Sequence, residues 1–287
     1  ESPDVVLLES TTPVMKFYWN VINKIKKAMP SCIVIMTGYH SMRKPNETLE
    51  QSNADIVLRS NNVDFALHRL IPEIENNNNW RSEYSGEGLL IRLENGELRS
   101  TGDFRQVEPL DNSPLVDRDL VGWKNYAYEN GNFLQTPGTY ASSVIRDCMF
   151  GKCTFCRYNG PDLTFSVMSV QRSLDEYETL INDYGVKEIF DDSGVWYRGK
   201  EAREFAQGII DRGLHKKGCY FGINTRFEYL DEETIKLMGK ANFRFILLGY
   251  EAADNETLNR LNKKVESIKS KRDKSRGRKH KHRRDRG

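Results

Sequence analysis

Nowhere in the 287 residues is there an apolar run approaching the roughly 18 residues that a membrane-spanning helix needs, and no charged-then-apolar leader opens the chain. A protein that neither spans a membrane nor is exported is expected, with a cytoplasmic location. Cysteines are few: the five, at positions 32, 148, 153, 156 and 219, are too sparse and too uneven for a disulfide scaffold. Charge of one sign is also lacking, with 43 Lys and Arg against 41 Asp and Glu for a net +2. That balance hides two objects. From Lys263 onward there are 13 basic and three acidic residues, a segment of +10, which leaves −8 on everything before it. A hydrophobic content of 38% excludes a wholly disordered chain, and the length admits one large or two modest domains.

The N-terminal third alternates β-branched apolar runs with amphipathic stretches. Strands are expected at 5–8, 32–36 and 55–58 and helices at 14–29, 47–51 and 63–74; this alternation predicts a parallel sheet with helical crossovers. Leu89 to Leu93, Asn95-Gly96 and Glu97 to Arg99 read as a hairpin with a tight turn. Residues 103–140, rich in Pro, Gly and Asn, read as a connector. The alternation resumes at Ser143, with strands at 144–146, 188–190, 220–223 and 243–248 and helices at 174–184, 201–212, 232–239 and 256–261. Each strand feeds a polar loop: Cys148 to Cys156, Asp191-Asp192, Asn224 to Arg226, and Glu251. In parallel α/β folds such loops meet at the carboxyl ends of the strands.

The first of those loops carries Cys148, Cys153 and Cys156, spaced Cys-x4-Cys-x2-Cys. In a reducing compartment three close thiols read as a metal site, and thiolates select iron–sulfur clusters or zinc. Three ligands on a four-iron cube leave one iron open for a substrate. Zinc needs a fourth ligand from elsewhere, with Cys219 and His215 as candidates. Cys32 and Cys219 themselves, in or beside apolar strands, are expected in the core.

The loop, with Phe155 just before its third cysteine and Arg146 just before its first, resembles that of the radical S-adenosylmethionine enzymes, in the class with an N-terminal cobalamin-binding-type domain. The likeness continues through Tyr184 to Asp192, Asn224-Thr225-Arg226, and Phe243 to Glu251 with Leu261-Asn262-Lys263. It implies a [4Fe-4S] cluster on the three cysteines and S-adenosylmethionine on the open iron, cleaved by one electron to methionine and a 5′-deoxyadenosyl radical. It also implies that Phe155 packs by the adenine, that Asp192, Arg226 and Glu251 serve the cofactor, and that flavodoxin or ferredoxin supplies the electron to act on an unidentified substrate. The alternative reading is a non-catalytic zinc-binding or nucleic-acid-associated protein.

The N-terminal third, through Pro3 to Ser10, Pro30 to His40 and Ala54 to Val57, resembles the later half of the cobalamin-binding fold, with Ser10 and Gly38 where the nucleotide tail is received. The cobalt-ligating Asp-x-His-x-x-Gly loop is absent, and small residues at strand ends are ordinary turn residues, so cobalamin stays open as a cofactor. The expected fold is therefore α/β: a partial doubly wound parallel sheet (1–80), a hairpin and connector (81–140), a partial βα barrel of four units (141–265), and a disordered basic tail (266–287). The short barrel leads us to expect a fragment of a longer or split enzyme. The tail, without aromatic interleaving, offers phosphate neutralisation and hence non-specific nucleic-acid binding.

Overall fold

The computed structural model describes residues 2–60, 62–104, 109–129, 133–141, 145–146, 148–159 and 165–265. The basic segment 266–287, with the disorder and nucleic-acid binding expected of it, lies outside the described residues, as do Val144 and Asp147. Two compact units divide the chain, 1–108 with 161–164, and 109–160 with 165–287. Among the described residues no helix is long and apolar enough to cross a membrane.

The N-terminal unit runs β1 (Val5–Glu9), α1 (Met15–Ala28), β2 (Ile33–Thr37), α2 (Tyr39–Arg43), α3 (Pro45–Gln51), β3 (Ile56–Leu58), α4 (Val63–Asn76), α5 (Trp80–Glu83), β4 (Leu89–Arg92) and β5 (Leu98–Ser100). These strands form one sheet in the order β1-β2-β3-β4-β5, the first three parallel and the last two antiparallel. The period of two sends alternate residues to opposite faces. Ile35, Ile56, Leu58 and Ile91 pack with Ala66 and Leu70 of α4, whereas Val34, Met36, Val57 and Leu90 pack with Met15 and Ile22 of α1 and Leu49 of α3. Helices on both faces make this the expected doubly wound sheet. The hairpin is not a separate connector: β4 pairs with β3, Ile56 opposite Ile91. Its apolar run Leu-Leu-Ile completes the two cores, a long-range role that local pattern does not show.

Asp55 ties this unit together. It is 5% exposed and accepts from the Val34 backbone N–H at 2.8 Å, from Lys26 Nζ at 3.0 Å and from Arg81 Nη2 at 2.8 Å. Removing one member of a buried charge network strands the others in low dielectric. Asp55→Ala is expected to cost about 3 kcal/mol of stability, read as a lowered urea midpoint; an unchanged midpoint contradicts it.

The C-terminal unit runs α6 (Lys124–Ala127), β6 (Gly138–Ala141), β7 (Ile145–Arg146), β8 (Ser166–Val167), α7 (Val170–Asn182), β9 (Glu188–Asp191), α8 (Gly199–Asp211), β10 (Tyr220–Thr225), α9 (Glu232–Lys240), β11 (Phe243–Leu248) and α10 (Asn255–Arg260). Its main sheet has the order β11-β10-β9-β6 with every pair parallel. The helices α7, α9 and α10 start where Ser169, Asp231 and Asp254 accept N–H bonds from Arg172, Thr234 and Thr257. One face of the sheet buries Ile189, Phe221 and Ile223 against Tyr177 and Leu180 of α7 and Ala202, Phe205 and Ile209 of α8. The other carries Tyr140, Phe190 and Phe245, their rings in contact at 5.9 and 5.6 Å.

The expected first strand of this sheet, 144–146, is displaced. Gly138–Ala141, inside the segment read as a connector, takes that place beside β9. Ile145–Arg146 instead pairs antiparallel with Ser166–Val167. Gly-Thr-Tyr-Ala has a single large residue, so its hydrophobic signal is weak, although Tyr140 and Ala141 face opposite sides as a strand requires.

Candidate functional site at the cysteine loop

Parallel pairing puts all the carboxyl ends of the main sheet's strands on one edge, and the expected loops at Asp191-Asp192, Asn224 to Arg226 and Glu251 issue from that edge. Asp192 N–H donates to the Ala141 carbonyl at 2.7 Å, Trp196 N–H to Asn224 at 2.9 Å and Gly249 N–H to Thr225 at 3.2 Å, so neighbouring loops are knitted backbone to backbone. The cysteine loop follows β7, outside this sheet, and is tied to the segment after α10. Its Thr154 N–H donates to the Leu261 carbonyl at 3.1 Å, and Asn262 Nδ2 donates to the Lys152 carbonyl at 2.8 Å.

Within the loop, Cys156 N–H donates to the Cys153 carbonyl at 3.1 Å and Tyr158 N–H to Cys156 Sγ at 3.5 Å. Gly151 sits at φ +56°, and a Cβ there would lie 3.3 Å from the Cys148 and Tyr158 carbonyl oxygens; it is the turn residue that the longer first spacing accommodates. Cys153 is buried, whereas Cys148 and Cys156 are half-buried. Burial pushes the Cys153 thiol up, and the charges of Lys263 and Arg226 pull it back.

Arg226 is committed to this loop. It is 4% exposed, and its guanidinium lies 4.1 Å over the Phe150 ring. Nη1 approaches Cys153 Sγ at 3.9 Å and Nη2 donates to the Lys263 carbonyl at 2.6 Å, while Nε pairs with Glu228. Each of the three guanidinium nitrogens thus has a partner here. Glu251 accepts from Lys263 Nζ at 2.8 Å, with 29% of its side chain exposed against 6% for Lys263. The sequence reading did not single out Lys263, Phe150 or Glu228 as site residues. The available signals were a lysine just past a helix end, an aromatic two residues beyond a cysteine, and an acid two residues beyond an arginine.

Other expected residues fall differently. Phe155 is 52% exposed, an aromatic ring open to a ligand. Asp192 is exposed and accepts from Asn224 Nδ2 at 2.8 Å rather than joining the cysteine loop. Cys219 and His215, candidates for a fourth zinc ligand, stand before β10, whereas Arg226 and Cys153 stand beyond its end; six strand residues separate them by roughly 20 Å. Cys219 is fully buried and its thiol is pushed up to about 12 by that burial, and Cys32 is likewise in the core. Among the described residues no three His, Cys, Asp or Glu side chains stand at the spacing of one metal ion.

In the N-terminal unit, Ser10 and Gly38 adjoin at the carboxyl ends of β1 and β2. Gly38 is at φ +92°, and a Cβ there would fall 2.3 Å from the Ser10 carbonyl oxygen. The Ser10 hydroxyl is buried and points at Met15 Sδ, 2.9 Å away. The close approach of the two strand ends requires the glycine at 38.

No protein-family model matches the chain. It is 28% identical over 270 residues to an anaerobic magnesium-protoporphyrin IX monomethyl ester cyclase of Cereibacter sphaeroides, covering 92% of this chain and 42% of that protein. It is 25% identical over 269 residues to an uncharacterized methyltransferase of Pyrococcus horikoshii, covering 92% of this chain and 55% of that one. The chain therefore spans about half the length of these curated relatives. Among solved structures, the cobalamin-dependent S-adenosylmethionine radical enzyme OxsB superposes with a TM-score of 0.70 at 15% identity over 93% of this chain and 38% of its own. The radical S-adenosylmethionine methyltransferase TsrM from Kitasatospora setae, with tryptophan substrate and a cofactor analogue bound, gives 0.70 at 16% identity over 90% of this chain and 50% of its own. These likenesses establish the α/β fold.

Proposed function

We propose, on the premise that this chain is a relative of the radical S-adenosylmethionine enzymes, that Cys148, Cys153 and Cys156 hold a [4Fe-4S] cluster and that the chain cleaves S-adenosylmethionine reductively. The observation that carries this reading is the donor set: three thiols on one loop at the carboxyl edge of a parallel sheet, the middle one buried beside two cations. A zinc ion asks its thiolates to stand about 2.3 Å from one centre, whereas a cluster gives each thiolate its own iron. Cys219 and His215, remote from the loop, do not complete a zinc site. When bound, the cluster supplies one electron to the sulfonium, giving methionine and a 5′-deoxyadenosyl radical that takes hydrogen from a substrate.

The chain's own residues do the holding. Phe155 offers an exposed ring to the adenine. Glu251, anchored through one oxygen by Lys263, keeps carboxylate surface for ribose hydroxyls or the methionine amine. Asp192, fixed by Asn224, offers a further acceptor on the same edge. This reading does not draw on Ser10, Gly38 or cobalamin. The electron comes from a small donor protein of the flavodoxin or ferredoxin type.

Incubating the reconstituted chain with S-adenosylmethionine and dithionite without oxygen is expected to yield methionine and 5′-deoxyadenosine in equal amounts, measured by chromatography. A loaded cluster with no cleavage refutes the cleavage step.

A further inference from the structure

Two of the least exposed charges in the C-terminal unit are joined to each other, and one of them touches a cysteine. Arg226 and Lys263 are 4% and 5% exposed, a costly state for cations unless negative charge lies close. Each has one carboxylate partner, Glu228 and Glu251; Arg226 also reaches the Cys153 sulfur, and the Lys263 charge, behind it, pulls that thiol down against its burial. Arg226 touches it at 3.9 Å while stacked on Phe150. Lys263 is locked by its own carbonyl, which accepts from Arg226 at 2.6 Å, and by its N–H, which donates to Leu258 at 2.9 Å. The backbone is forced to achieve this: Glu251, Asn262 and Lys264 have φ of 63°, 51° and 57°, left-handed values that residues with a Cβ adopt at a cost. Three such residues surrounding one buried lysine show that the chain is shaped to keep it there.

We propose that Arg226 is a positioning residue that holds the Cys153 thiolate, that Lys263 fixes Arg226 through its carbonyl and adds a second buried charge behind it, and that the two cations raise the reduction potential of a cluster bound through Cys153. The proposal rests on the cluster reading above. Reduction adds one electron and breaks no bond, so the bound form gains one negative charge. Fixed cations in a poorly solvated pocket favour that form over the oxidised one. Ligand-directed hydrogen bonds and nearby charge are among the protein's recognised controls on such centres.

The test is a redox titration of the reconstituted full chain, monitored by electron paramagnetic resonance, with dithionite as reductant. Arg226→Met and Lys263→Met should each make reduction about tenfold less favourable, which for a one-electron couple is about 59 mV downward. Arg226→Lys, which keeps the charge, should stay closer to the parent. Lys263→Met preserves the carbonyl that Arg226 binds and every backbone bond of the cysteine loop. It therefore decides the matter even if Arg226→Met loads no cluster. A parent and a Lys263→Met variant with intact clusters and equal potentials overturn this inference alone. A parent that assembles no cluster overturns the cluster reading and this inference with it.

Discussion

Replacing Cys153 by Ala is expected to abolish cluster assembly, taking iron from about four atoms per chain to background and 5′-deoxyadenosine formation with it. A cube bound at three points by one loop has no spare protein ligand, and Cys153 is the buried one, between its partners in sequence and in contact with Arg226. Cys148→Ala and Cys156→Ala should behave alike. The contrast comes from Cys32→Ala and Cys219→Ala. Both thiols are buried in apolar cores, and Cys219 lies beyond the opposite end of β10, so these variants should retain full iron. Equal iron in Cys153→Ala and Cys219→Ala would falsify the assignment of ligands.

The second large effect concerns Asp191, the last residue of β9. It is fully buried, on the helix-covered side of the sheet, with Ser193 N–H donating to Oδ1 at 2.9 Å and the Tyr177 hydroxyl to Oδ2 at 3.3 Å. Burial pushes its carboxyl up to about 7, the bonds from Ser193 and Tyr177 offset this only in part, and Glu176 adds to the rise. An unfolded Asp releases its proton near 3.9. Between there and about 7 the native chain keeps a proton that the unfolded chain has lost, so stability falls as pH rises through that window and then levels off. Asp191→Asn removes this titration while keeping the shape. The variant should exceed the parent in stability at pH 8 by on the order of 4 kcal/mol, and by less at pH 5. Urea midpoints of both proteins at the two pH values measure it. A variant less stable than the parent at pH 8 contradicts the account.

The sequence was most legible where a local pattern sufficed. The strands at 5–9, 33–37 and 243–248 follow from β-branched and aromatic runs, and the three thiols from their spacing. It was least legible where long-range contacts decide. Gly138–Ala141 becomes an edge strand of the main sheet only because β9 pairs with it, and the hairpin at 89–100 joins the first sheet through β3. In the site, Arg226 and Glu251 were visible as polar residues after strands, but their partners were not. Lys263 reads as the first residue of a basic tail, and only the left-handed turn after α10 shows that it points inward. Asp191 and Asp192 look alike in sequence. The strand period puts one against α7, buried with its carboxyl pushed up, and the other on the open face with Asn224.

The central claim, a [4Fe-4S] cluster on Cys148, Cys153 and Cys156, is tested most directly by iron and sulfide analysis with electron paramagnetic resonance on the parent chain reconstituted without oxygen. The account predicts about four irons and four sulfides per chain and, after dithionite reduction, a paramagnetic signal that S-adenosylmethionine perturbs. A colourless chain holding one zinc, without sulfide and silent after reduction, would contradict it.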